Sequence, residues 1–183
     1  MHNKIIIGLL GVVLLFTLGS AAPNFHSYDS SLIINKIEIN ITGLSTVGKY
    51  NCSTTFFKKD TIVLNVANKN CIKAEIPMVK FDCGNRIMTK DLQSTVKTTQ
   101  FPSSFVSITD IKTYGNHYKC NLNFLITNKT LRYKDFLLTK ENNKLQGNIA
   151  LNFSDIGLVP PVKMGGLIKV KDQIAVNFSL YKL

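Results

Sequence analysis

The sequence has few of the residues that acid–base and metal chemistry require. Its 183 residues include three histidines, eleven acidic residues and no tryptophan. It contains no H-E-x-x-H, no G-x-G-x-x-G and no P-loop motif. A C-x-x-C pair is also missing, which disfavours a zinc ribbon and a thioredoxin-like redox site. We therefore predict that the protein is not an enzyme and holds no metal and no cofactor of the usual kinds.

One serine motif leaves a hydrolase as an alternative. The segment Gly43–Gly48 is one residue too long for a G-x-S-x-G nucleophile elbow, and it lies in strand-like sequence. Catalysis at Ser45 would need a histidine, and the candidates are His26 and His117. Because His117 follows a Gly-Asn turn, a solvated side chain is expected there rather than a base.

The charge balance is strongly basic in an otherwise ordinary globular composition. The chain is 45% hydrophobic, and 22 Lys and Arg against 11 Asp and Glu give a net charge of +11. The excess indicates either a solvated lysine-rich surface or attraction to an anionic membrane surface or an acidic ligand. No basic–aromatic motif supports nucleic-acid binding. The sequence carries no signal that sets an oligomeric state.

The N-terminal segment has the pattern of a secretory signal peptide. A short basic stretch, Met1–Lys4, precedes the apolar run Ile5–Leu18 and the small residues Gly19–Ala22. This pattern predicts a signal peptide over 1–21 and one exported domain over 22–183, periplasmic or secreted. The alternative is an uncleaved N-terminal anchor. Export would place the four cysteines in an oxidising compartment, where an even count indicates disulfides. Spacing cannot choose among the three full pairings, and buried free thiols are the alternative.

Strand signals dominate the exported domain. Apolar residues alternate with polar ones in segments such as Ile37–Ile41, Leu122–Ile126 and Ile174–Leu180. Short turns separate about eight such segments, and sequential hairpins favour an up-and-down barrel. The predicted fold class is therefore all-β: an antiparallel, lipocalin-like barrel of about eight strands.

One segment breaks the alternation. Between 85 and 98, apolar residues recur every fourth position at Met88, Leu92 and Val96, which predicts a short amphipathic helix. Asn85 is a suitable N-cap. A barrel of this size either fills its interior with side chains or holds one apolar ligand, and the helix could cap its mouth.

Three blocks of sequence resemble the YceI-like family of exported bacterial proteins. The first is Gly43–Cys52, similar to a G-x-S-x-V-x-x-(F/Y) strand. The second is Phe81–Leu92, with its R-I-M-T-K-D-L run, followed by Phe101-Pro102. The third is Asp155–Asp172, before the final alternating strand. Together these blocks span nearly the whole predicted domain.

The resemblance implies a β-barrel with an apolar interior that holds a long-chain polyisoprenoid, and it implies no catalytic residues. It also favours pairing Cys52 with Cys83, which leaves Cys71 and Cys120 as the second pair. The ligand-binding candidates on the matching segments are Phe81, Met88, Leu92, Phe101, Phe105 and Met164.

The resulting hypothesis is an exported protein that sequesters an isoprenoid-type lipid or a quinone in its barrel, with peripheral contact to an anionic membrane. Burial of the tail would supply the affinity, since each sheltered CH₂ contributes roughly 0.8 kcal/mol. The alternative is a structural or stress-related envelope protein with a filled core and a protein partner.

Overall fold

The computed structural model describes residues 31–64 and 70–183; the predicted signal peptide, 1–21, lies outside the described residues. The strands are β1 Ser31–Ser45, β2 Gly48–Val63, β3 Cys71–Pro77, β4 Ser103–Tyr114, β5 His117–Ile126, β6 Lys129–Glu141, β7 Lys144–Asn152, β8 Val162–Lys163 and β9 Ile168–Lys182. The helix α1 is Arg86–Thr95, and short 3-10 turns occupy Met78–Lys80, Ser154–Ile156 and Met164–Gly166.

Eight of these strands form one antiparallel wall in the order β2-β1-β9-β7-β6-β5-β4-β3, and β8 pairs with the start of β9. The sheet rolls until its two edges meet beside α1. There the backbones of Ser53 and Asp82 exchange two hydrogen bonds of 2.8 Å. The all-β, eight-stranded barrel prediction is therefore confirmed.

Alternation of side chains gives each strand an inner and an outer face. On β1 the buried residues Ile37, Ile39 and Ile41 alternate with less buried polar ones. Ile39 lies opposite Phe178 on β9, so apolar residues meet apolar residues across the wall. Pairing with period two explains why the alternation in the sequence was a sufficient signal.

Two bulges coil the middle of the wall. Asp110 and Asp135 have left-handed φ angles of 55° and 54°, and the β4–β5 and β5–β6 registers shift at these places. A bulge increases local twist and bends its strand, which helps a sheet to close.

The helix begins where the sequence predicted. The Asn85 side chain accepts hydrogen bonds from the backbone N–H groups of Ile87 (2.8 Å) and Met88 (3.3 Å) and so caps α1. The helix ends at Thr95, inside the predicted 85–98. Two residues later, Lys97 takes a left-handed φ of 54°, and 96–100 form turns instead of a further helical turn. No helix among the described residues has the length and apolar character needed to cross a membrane.

The two ends of the barrel differ, and we name them for what lies there. The closed end carries the β4–β5 and β6–β7 turns and the start of β1. The helix end carries the β1–β2 turn, α1 and the segment 153–167. At the closed end the interior is filled by side chains with 0% exposure: Ile34, Ile62, Ile111, Leu138 and Leu145.

The disulfide predicted between Cys52 and Cys83 is present. It lies beside the Ser53–Asp82 bridge and ties β2 to the segment leading into α1. Because a disulfide of this kind closes a long loop, it restricts the unfolded chain as well as the helix end.

The second predicted disulfide, Cys71–Cys120, is wrong: within the described part of the chain both thiols are free. Cys71 pairs with Thr109 on β4, which pairs with Asn121 on β5. Cys120 is the neighbour of Asn121 along β5, so its side chain points to the opposite face of the sheet. The two residues are also two strands apart, roughly 9–10 Å, which exceeds the Cα separation that a disulfide spans.

Candidate functional site

A cavity of about 80 Å³ occupies the barrel from its middle to the helix end. Inward side chains of seven strands form its wall, with residues such as Ile39, Ala74, Ile108, Phe124 and Val176. These positions belong to the buried face of each strand, so the same alternation that builds the core also builds the cavity.

The helix end supplies a cover over this cavity. Leu92 of α1 and Val96 just after it line the cavity from one side, and Phe153, Ile156 and Leu158 line it from the segment that follows β7. That segment is held by hydrogen bonds. The Leu158 N–H donates to the Phe153 carbonyl (2.9 Å), and the hydroxyl of Thr127 donates to the Ile156 carbonyl (2.8 Å).

Polar side-chain atoms are scarce among the described lining residues. They come from Ser104 and Tyr50. The buried Ser104 hydroxyl donates to the Met78 sulfur at 3.1 Å, so it is already satisfied. Burial raises the pKa of Tyr50 to about 12 and keeps its hydroxyl neutral. A cavity with so few polar groups suits an apolar molecule, because a polar ligand would lose hydrogen bonds to water.

Tyr50 owes its position to a glycine. Its ring lies over Gly43 on β1, and any side chain at that position would overlap the ring. The first block of sequence that resembles the YceI-like family thus contains Gly43 and Tyr50, which fit against each other at the helix end of the cavity.

The lining of the cavity is least buried toward the helix end. Of the described residues that line the cavity, Tyr50, Leu92 and Val106 are half-buried and the others are buried. Tyr50 and Leu92 both belong to the helix end, on the side where the sheet edges meet. We therefore take this region as the mouth of the cavity.

The structure brings two of the six predicted ligand-binding residues to the cavity, Phe81 and Leu92. Met88 lies one turn before Leu92 on the same face of α1 but is exposed and does not line the cavity, and the half-buried Phe101 does not line it either. Phe105 and Met164 are exposed. The candidate site therefore includes Phe81 and Leu92 and leaves out the other four.

Phe105 lies outside for a simple reason. On β4 the inward positions are Ser104, Val106 and Ile108, so Phe105 falls on the outer face. Met164 lies at the tip of the β8–β9 hairpin, where it and the following Gly165 have left-handed φ angles of 50° and 63°. The residues that sequence reasoning missed are the central inward ones of the strands, and alternation was the signal that could have found them.

The serine, histidine and cysteine side chains considered for catalysis do not form a catalytic arrangement among the described residues. The Ser45 hydroxyl donates to the Gly48 carbonyl at 2.9 Å and accepts from the Val47 N–H at 3.3 Å, which holds the β1–β2 turn. His117 lies at the closed end, on the far side of the barrel, and His26 lies outside the described residues. Burial raises the pKa of the Cys120 thiol to about 12, which keeps it protonated and weakly nucleophilic.

No family model and no curated protein matches the sequence. A solved structure is similar: a polyisoprenoid-binding domain from Saccharophagus degradans implicated in plant cell wall breakdown, with a TM-score of 0.56 and 7% identity. The superposition covers 85% of this chain and 98% of that one. The two chains share a fold. The barrel fold expected from the resemblance to the YceI-like family is thus confirmed. Polyisoprenoid binding is described for the similar domain.

Proposed function

We propose that this protein is an exported carrier that shelters the tail of an isoprenoid-type lipid in the apolar cavity. The observation that carries the proposal is the cavity lining, which offers a ligand apolar side chains and the hydroxyls of Tyr50 and Ser104. The shared fold with a polyisoprenoid-binding domain supports it further.

Affinity would come from burial alone. Each CH₂ group moved from water into an apolar site gains roughly 0.8 kcal/mol, so a few isoprene units suffice for micromolar binding or better. A preformed barrel also limits the ordering that binding must impose on the protein. No catalytic group is needed, and the lining supplies none.

The size of the cavity sets a condition on this mechanism. Its volume of about 80 Å³ is smaller than the engineered apolar cavity of about 150 Å³ that accepts benzene. A long tail therefore binds only if lining side chains move apart. Met78 and Leu92 line the cavity at its helix end, and a methionine side chain adapts readily to a changed space.

The first test is native mass spectrometry, with organic extraction, of protein purified from its own cell envelope. We expect a stoichiometric isoprenoid or quinone mass. The apo protein should also take up added polyprenyl lipid, and lipid at a hundred times its Kd should raise the free energy of unfolding by about 2.7 kcal/mol. A clean apo mass with no uptake contradicts the proposal.

A matched pair of variants locates the binding site. Ala74 lies on the inner face of β3 and lines the cavity, whereas Ala150 lies exposed on the outer face of β7. Ala74→Phe should fill the cavity and weaken uptake at least tenfold, and Ala150→Phe should leave uptake unchanged. Ala74→Leu serves if the larger side chain prevents folding. Equal uptake by both phenylalanine variants would place the ligand elsewhere.

The small volume favours a second candidate, a structural envelope protein whose core is filled and whose surface binds a protein. For that candidate Ala74→Phe overpacks the interior and lowers stability without any effect on lipid. The two candidates are therefore separated by the uptake measurement, since both predict a change in stability.

A further inference from the structure

The helix end carries a ring of exposed apolar side chains that the cavity does not use. We propose that this ring docks the protein onto an anionic membrane and sets the mouth of the cavity against the lipid surface. We call it the rim and define it by Val47, Val162, Met164 and Leu167. The proposal rests on the proposed function for its purpose, because an isoprenoid cargo resides in membranes.

The rim residues are exposed far more than apolar side chains usually are. Met164 is 70% exposed, Leu167 73% and Val47 71%, and Val162 is 57% exposed. A single exposed apolar residue is ordinary, but a cluster of large ones marks an interaction surface. Their side chains project from a turn and a hairpin tip, as a membrane-inserting edge requires.

Hydrogen bonds join the rim into one surface. The hydroxyl of Thr46 donates to the Leu167 carbonyl at 2.8 Å, and the Thr46 N–H donates to the Lys169 carbonyl at 3.0 Å. Val162 pairs with Lys169 across the β8–β9 hairpin. The β1–β2 turn and the hairpin tip are thus held together, and their four apolar side chains act as a unit.

An ion pair joins the rim to the helix beside the mouth. The Lys163 ammonium lies 2.7 Å from the Asp91 carboxylate of α1. The first turn of α1 adds Ile87 and Met88, which are also exposed. Leu92, one residue after Asp91, lines the cavity. The apolar surface therefore continues from the hairpin tip, across α1, to the mouth.

The charge of the rim selects the partner. The segments 44–50 and 157–171 contain Lys49, Lys169 and Lys171, and Lys163 that pairs with Asp91 of α1, and they hold no acidic residue of their own. Apolar side chains flanked by lysines suit the boundary between acyl chains and anionic headgroups, where each lysine strengthens binding. Met88 and Met164, which the sequence predicted as ligand contacts, contact the membrane in this arrangement.

Flotation with lipid vesicles tests the proposal. We expect the protein to float with vesicles of phosphatidylcholine and phosphatidylglycerol at 3:1 and much less with phosphatidylcholine alone, and we expect high salt to weaken binding. The double change Met164→Ser and Leu167→Ser should lower partitioning about tenfold for each residue. The matched control is Phe57→Ser with Leu137→Ser, which removes two exposed apolar side chains away from the rim.

A second pair of double variants tests whether lysines at the rim matter more for binding than lysines elsewhere. Lys169→Gln with Lys171→Gln removes two lysines at the rim and should lower binding to anionic vesicles about fivefold for each. Lys59→Gln with Lys140→Gln removes the same charge elsewhere and should change binding much less. Thermal unfolding checks that every variant folds. If the double variant with Met164→Ser and Leu167→Ser does not fold, Val47→Thr replaces it.

Several results would overturn docking. They are failure of the wild-type protein to float, equal loss in the rim and control variants, or self-association that the rim variants abolish. The last result would assign the rim to a second copy of the chain. Uptake of polyprenyl lipid from detergent, measured on the same variants, separates the two proposals. A rim variant that loses flotation but still takes up lipid supports docking by the rim and leaves the proposed carrier function intact. A protein that floats but takes up no lipid contradicts the carrier function and leaves docking intact.

Discussion

The closed end and the helix end of this barrel are built from the same strands and differ in how they finish. At the closed end, five apolar side chains with 0% exposure meet in the interior. The buried Asn70 side chain seals that end by accepting from the Ile111 N–H at 2.9 Å and donating to its carbonyl at 2.6 Å. At the helix end there is a cavity, a half-buried mouth and an exposed rim.

The difference follows from how β6 and β7 pair. Their registered pairs, at Thr139–Gln146, Lys140–Leu145 and Glu141–Lys144, lie at the closed end, where a short turn joins the strands. Toward the helix end the two strands separate, and the segment 153–158 fills the space between them. A short turn therefore joins β6 to β7 at the closed end, while the longer connection after β7 covers the helix end. We therefore expect local unfolding to start at the helix end rather than at the closed end.

The largest effect we expect is that of removing the disulfide at the helix end. Cys52 and Cys83 are 31 residues apart, and closing such a loop contributes about 4 kcal/mol in the chain-entropy model. Replacing both with serine should lower the free energy of unfolding in denaturant by about that amount. Amide exchange should show α1 and the 78–85 segment losing protection before the closed end.

The free cysteine Cys71 provides the control for that experiment. It lies half-buried on the outer face, with its sulfur 4.0 Å from the Ser107 hydroxyl. Cys71→Ser should change stability by less than about 1 kcal/mol. If the double serine variant loses no more than this, the helix end is held by packing rather than by the disulfide.

The next effect compares one substitution at both ends. Leu138 is fully buried at the closed end, and Leu92 is half-buried at the mouth. Leu138→Ala should cost about 3 kcal/mol, because it leaves a cavity in a packed region, and Leu92→Ala should cost about 1 kcal/mol. Denaturant titrations measure both. Similar losses would mean that the mouth is as tightly packed as the closed end and would weaken the case for an entering ligand.

Much of the fold could be predicted from the sequence because its signals are local. Alternation in Ile37–Ile41 and Ile174–Leu180 gives strands with one buried face, and short polar turns between strands give hairpins. The capping of α1 by Asn85 is equally local. The bulges at Asp110 and Asp135 could not be predicted, since neither position carries the glycine that often marks a left-handed residue.

The candidate site was harder to predict because it depends on which of two neighbouring apolar residues faces inward. Phe105 and Val106 are adjacent, and only the register of β4 shows that Val106 lines the cavity. The second cysteine pair failed for the same reason, since facing cannot be deduced from spacing. The rim was hidden because 157–167 is rich in glycine and proline and predicts only a loop.

The smallest effect concerns alkaline pH and the tyrosine at the mouth. Burial raises the pKa of Tyr50 from 10.0 to about 12, so the folded protein holds this proton more tightly than the unfolded chain does. The free energy of unfolding should therefore fall as pH rises from about 10 toward 12. Tyr50→Phe should reduce the fall by less than about 1 kcal/mol, because the side chain is partly solvated.

The pKa of Cys120 at about 12 leaves a residual slope from pH 9 upward. Tyr114→Phe, at an exposed tyrosine of the closed end, is the control in a pH series of thermal unfolding. If Tyr50→Phe removes no more of the slope than the control does, the mouth is open enough to solvate the Tyr50 hydroxyl fully, which would sharpen the contrast between the two ends.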